Sequence, residues 1–140
     1  MKILVPVDGS ETSLRAIDHV ITKMQPLGME VHLINVQPPL PYGGRASAVI
    51  GHDNIDEYHR EEGLKALKPA QQKLDAAGVE YHCHVAVGEP ADVIVGYAQT
   101  HGVDQIVMGT HGRGAVASVL MGSVAKEVLE KAHIPVVLVK

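Results

Sequence analysis

The chain has 140 residues, 46% of them hydrophobic and 20% charged, with a formal net charge of −4. This length lets one domain, expected over 1–140, bury roughly two-thirds of its unfolded surface without staples. Lysine and arginine form no stripe, so nucleic-acid binding has no electrostatic support. Cys83 is the only cysteine, which excludes an internal disulfide and fits a reducing compartment. No run approaches the ~18 apolar residues of a membrane helix. The opening run meets Asp8 too soon for a secretory signal, and a cytoplasmic location is expected.

In chain order, the first apolar run, Ile3 to Val7, reads as a strand. Ser10 can cap a helix whose apolar face is Leu14, Ile17, Ile21 and Met24, spaced by three and four residues. Val31 to Val36 is a second strand. Residues 37 to 54, rich in proline, glycine and small polar residues, form one long connection of the kind found beside sites. A helix between about Asp56 and Ala77 is marked by Leu64, Leu67 and Leu74, and Pro69 should kink or split it. Tyr81 to Val87 alternates, which predicts a strand near a sheet edge with His82 and His84 on one face. In "GEPADVIVGYAQTHG", Pro90 suits a first helical turn, Val93, Ile94 and Tyr97 form a face, and Gly102 can end the helix. Gln105 to Met108 is a fourth strand, Ser123 to Ala132 a last helix, and Val136 to Val139 a fifth strand.

The four strands other than Tyr81 to Val87 are β-branched and nearly continuous, as in sheets covered on both faces. The order βαβαβαβαβ predicts a doubly wound α/β domain, five parallel strands with helices on both faces. Such sheets bind ligands beyond the carboxyl ends of their strands, where strand order reverses. The residues just after each strand are therefore the candidates: Asp8, Val36 to Pro38, Gly88 and the stretch from Gly109.

That last stretch, "GTHGRGAVASVLMGS", holds Gly109, Gly112 and Gly114 after a strand and Gly122-Ser123 before a helix. Glycines let backbone N–H groups approach a bulky anion, and a helix N-terminus favours phosphate. The alternative is an ordinary turn with Ser123 as a helix cap. No Gly-Lys-Ser/Thr is present, which excludes a Walker A loop. "VDGSETS" after the first strand excludes the dinucleotide fingerprint. Asp8 should face ribose hydroxyls or act through a metal ion such as Mg2+; an Asx turn made by "DGS" is the competing role.

Gly109, Gly112, Gly122 and Ser123 fit Gly-x2-Gly-x9-Gly-Ser/Thr, and here the chain resembles the ATP-binding branch of the universal stress proteins. "ILVPVDGS", "INV", "GEPADVIVGYA", "VDQIVMGTHGRG" and "AHIPVVLV" extend the resemblance over essentially the whole chain. It implies strand order 3-2-1-4-5, with ATP, with or without Mg2+, across the switch between strands 1 and 4. Pro6, Val7 and Asp8 would line the adenosine side, and Val36 would offer backbone groups to adenine. Gly109, preceded by Met108 in the same cofactor-binding set, would approach the ribose. Gly112, Arg113 and Gly114 would wrap the phosphates, and Gly122, Ser123 and Val124 would complete their site. The resemblance also implies a homodimer through the last strand, Pro135 to Lys140; an apolar edge strand of this kind needs pairing or cover.

Three functions compete. The first is an ATP-binding regulatory or stress-response factor. The second is a slow ATPase or adenylate-handling enzyme. The glycine stretch contains no lysine or evident base, so at most weak hydrolysis is expected and no catalytic residue is assigned; His111 reads as a polar loop residue. The third is a metal or redox protein, prompted by nine histidines and "HCH". Alternation puts Cys83 on the face opposite His82 and His84, so the three cannot share one ion. No metal ligand is assigned, and Cys83 reads as a small buried apolar residue.

Overall fold

The computed structural model describes residues 1–39, 52–111 and 121–140, without the side chains of 52–54. Five parallel strands, β1 (Lys2–Pro6), β2 (Glu30–Gln37), β3 (Tyr81–Val87), β4 (Gln105–Gly109) and β5 (Val136–Val139), lie in the order β3-β2-β1-β4-β5. The doubly wound α/β fold and the 3-2-1-4-5 order expected from the sequence are both present. Strand order reverses at β1, whose neighbours are β2 and β4.

Helices α1 (Glu11–His19), α2 (His52–Ala76), α3 (Pro90–Thr100) and α4 (Ser123–Lys131) join the strands. One core lies under α1 and α2, with Ile3, Val5, Leu33 and Val107 of the sheet meeting Ile17, Leu67 and Leu74. The other lies under α3 and α4, where Leu4, Ile34, Ile106 and Met108 meet Ile94, Ala98 and Val128. The alternation of these sheet residues between the two lists is the two-residue period of a strand with both faces buried.

Two helices depart from their sequence reading. The apolar face from Leu14 to Met24 is not one α-helix: α1 ends at His19 and continues as a wide π turn (Val20–Met24) and a 3-10 turn (Gln25–Leu27). Pro26 has no N–H to prolong the ladder, and Gly28 ends the segment at φ +76. Pro69 does not split α2, which runs unbroken past it. The ring removes a hydrogen bond at a cost of about 3 kcal/mol, but Leu67, Ala70 and Leu74 around it are fully buried. At roughly 1.5–3 kcal/mol for each large apolar side chain, their packing holds the helix together. Leu64, by contrast, is exposed and lies off that face.

Candidate functional site

The carboxyl end of β1 is fixed by its neighbour. Val7 continues the pairing beyond the strand, donating its N–H to Ile34 O at 2.8 Å. Buried Asn35 donates from Nδ2 to Val7 O at 2.8 Å, and its Oδ1 accepts from Gln37 Nε2 at 2.7 Å. The chain then turns sharply through Gly9, φ +83. Asp8 Oδ1 accepts the Ser10 N–H at 2.9 Å, so the Asx turn of "DGS" is formed, and Asp8 still lines a cavity. Ser10 caps α1 as expected, accepting from Ser13 N at 3.3 Å.

On the other side of the switch, Thr110 donates its N–H to Val139 O at 2.9 Å and accepts the Gly122 N–H at 2.6 Å. The chain leaving β4 and the chain entering α4 are thereby joined, so Gly109 and Gly122 stand at one place. Thr12 Oγ1 donates to His111 O and ties the same corner to α1. Gly109 has a packing reason of its own: a Cβ there would stand 2.8 Å from the backbone carbonyl carbon of Thr12.

Between these corners lies a cavity of about 510 Å3, within the usual range of small-molecule sites. Of the residues expected at the site, Pro6, Val7 and Asp8 line it from β1, Val36 from β2, and Met108 and Gly109 from β4. Gly122, Ser123 and Val124 line it from the start of α4. Gly112, Arg113 and Gly114 lie outside the described residues, as does much of the 37–54 connection. The N-cap of α4 is Gly122 and Ser123 is the first helical residue, which removes the alternative of Ser123 as a helix cap. No side chain caps this helix among the described residues. Its first-turn N–H groups lack intrahelical partners and carry partial positive charge. The cavity thus has a carboxylate on one wall and an anion-favouring helix start on another.

Some lining residues were missed in the sequence. Pro90 and Ile94 bring the first turns of α3 into an apolar wall, and the position of a crossover helix above a strand end is not visible in one dimension. Thr110 and His111 also line the cavity, with Thr110 Oγ1 2.9 Å from His111 Nδ1. Both belong to the stretch from Gly109 that the sequence marks as a candidate.

The alternation read in "HCH" is present. Cys83 packs toward the α1–α2 core, half-buried, with its thiol pKa pushed up by burial and its Sγ accepting from Gln71 Nε2 at 3.2 Å. His82 and His84 stand on the opposite face, where both stack near His32.

A cavity at the strand-order switch of an open parallel sheet, faced by a helix N-terminus, marks a doubly wound α/β protein with its candidate ligand site at the place such folds use. More narrowly, the chain belongs to the universal stress protein family, whose sequence model matches residues 1–140. It is 39% identical to universal stress protein MJ0531 of Methanocaldococcus jannaschii over 139 residues, 99% of this chain and 81% of that one. The solved structure of MJ0577 from the same organism superposes with a TM-score of 0.80 at 31% identity, covering 99% of this chain and 94% of that one. A universal stress protein from Archaeoglobus fulgidus, solved in complex with dAMP, gives a TM-score of 0.72 at 25% identity, covering 100% and 98%.

Proposed function

We propose that this protein binds ATP across the β1–β4 switch and acts as a nucleotide-dependent stress-response factor. The observation that carries the reading is that Asp8 and the start of α4, which no described side chain caps, line one and the same cavity. Asp8 suits ribose hydroxyls, Val36 and its neighbours the adenine, and the α4 N–H groups with Ser123 Oγ the phosphates. The dAMP complex of the Archaeoglobus relative supports an adenine nucleotide as ligand. Gly112, Arg113 and Gly114 would add donors to a triphosphate, with Mg2+ as its counter-ion. The reading includes one domain over 1–140, a cytoplasmic location and a homodimer through the β5 edge, which sedimentation at micromolar concentration tests.

The deciding experiment is calorimetric titration of nucleotide-free protein with ATP and AMP. Saturable ATP binding that Gly122→Val weakens at least tenfold, with unchanged circular dichroism, is the expected result. Absence of binding by the unaltered protein sinks the proposal. The position of His111 on the cavity wall favours one second reading, slow hydrolysis. Turnover abolished in His111→Ala while ATP still binds would establish that reading; turnover equal to buffer would remove it.

A further inference from the structure

A second polar centre lies near the amino end of the sheet, away from the cavity. Glu30 and His32 are two residues apart on β2 and so share its α3 face. Parallel register places His82 of β3 directly beside His32, the two rings stacking at 4.8 Å between centroids. Ile34, the nearest β2 residue that lines the cavity, is two residues beyond His32, roughly 7 Å along the strand.

The three side chains converge. Glu30 Oε1 lies 3.5 Å from His32 Nε2 and 3.3 Å from His82 Nε2. One donor atom from each residue falls within 4.8 Å of the other two. Donors bound tetrahedrally at 2.0–2.1 Å are about 3.4 Å apart, so the two Glu30 separations already match, and the two histidine donors, within 4.8 Å of each other, would draw together by up to about 1.4 Å around an ion.

Independent support comes from His32 itself. It is 7% exposed, and its Nε2 is buried without a hydrogen-bond partner among the described residues. An orphaned buried nitrogen is costly unless something else satisfies it. The other ring nitrogen, Nδ1, lies 3.3 Å from Tyr97 Oη. That contact can hold the proton on Nδ1 and turn the Nε2 lone pair toward Glu30, the arrangement found behind metal-bound imidazoles. Glu30 and the 60%-exposed His82 side chain leave the cluster open to solvent, from which an ion could enter and water could complete its coordination. Lys2, the nearby cation, donates its ammonium to His101 O at 3.1 Å.

We infer that Glu30, His32 and His82 form a binding site for a divalent transition-metal ion of the zinc class, with Tyr97 positioning His32. Two imidazoles and one carboxylate are a donor set suited to zinc, and a site with three protein ligands keeps one position for water. A stack of β-strand residues at one edge would thus carry a metal that the nucleotide cavity does not need.

The test is titration of nucleotide-free, metal-stripped full chain with Zn2+ against a chromogenic chelator. Glu30→Gln and His82→Ala are compared with His133→Ala, a change outside the cluster. One equivalent bound per chain, weakened roughly 100-fold in the first two variants and unchanged in the third, is the expected result. Both altered positions are solvent-facing, and unchanged circular dichroism verifies that the fold survives. Failure of the unaltered chain to bind Zn2+, or binding equal in all four chains, overturns the inference. Because no nucleotide is present, the outcome is separate from that of the ATP titration.

Discussion

The switch-point cavity and the histidine cluster are both polar centres on one sheet, yet they are built from different material. The cavity is shaped mainly by backbone: a turn after β1, the hydrogen-bonded corner of Thr110 and Gly122, and the start of α4. The cluster is made of side chains that strand register sets side by side, Glu30 and His32 against His82. Backbone sites leave marks in sequence as glycine spacing, because only small residues allow the approach. A cross-strand cluster leaves no such mark, because its members are about 50 residues apart and meet only through pairing. The difference also separates two kinds of vulnerability. A cavity corner breaks when a side chain is added, and a side-chain cluster breaks when one is removed.

The sharpest test sets two glycines of the cavity against each other. Gly109→Val should cost about 3 kcal/mol or more by overpacking, since even a Cβ would collide with Thr12 at 2.8 Å; urea unfolding reads the loss. Gly122→Val uses the same chemistry, but Gly122 has φ −73 and ψ 163, a conformation open to valine. Its stability should stay within about 1 kcal/mol of the parent while ATP affinity falls, so equal destabilisation of both variants would break the distinction.

Asn35→Ala should cost about 1–3 kcal/mol, because it removes a buried donor and leaves Val7 O without that bond. Chemical denaturation measures it, and a neutral outcome would show that the end of β1 needs no side-chain clamp. Tyr97→Phe should cost about 1 kcal/mol through the lost contact with His32 Nδ1 and leave ATP affinity unchanged by titration. If ATP affinity moved with it, the two centres would not be separate. Glu30→Gln should have the smallest effect, under about 1 kcal/mol in metal-free protein, because the Glu30 carboxylate and its His82 contact are solvent-exposed. A large shift in thermal midpoint would mean that the carboxylate is structural.

Much of this architecture was legible in the chain. Five apolar runs, the capping serine at position 10, Pro90 at a helix start and the edge position of β3 were read from local pattern, because each is set by neighbours in sequence. Of the two helix readings that failed, one was decided by distant contacts. Pro69 reads as a helix breaker until Leu67, Ala70 and Leu74 are seen packed into the core. The face from Leu14 to Met24 reads as one helix until the wide turn at Val20 is seen.

At the candidate site, residues following β1, β2 and β4 line the cavity but Gly88, following β3, does not, and the crossover residues Pro90 and Ile94 were not anticipated. In sequence Gly109 reads as a place of close backbone approach; the fold adds that Thr12 already fills the space beside it.

The sequence by itself therefore determined the class of fold, the end of the sheet that would carry a cavity and the glycine corners that shape it. Those follow from periodicity and from the conformational demands of single residues. Only the tertiary structure decided that α2 runs through its proline, that Asp8 both makes its turn and faces the cavity, and that Glu30, His32 and His82 meet. These depend on packing and strand register, which bring together residues that the chain itself keeps apart.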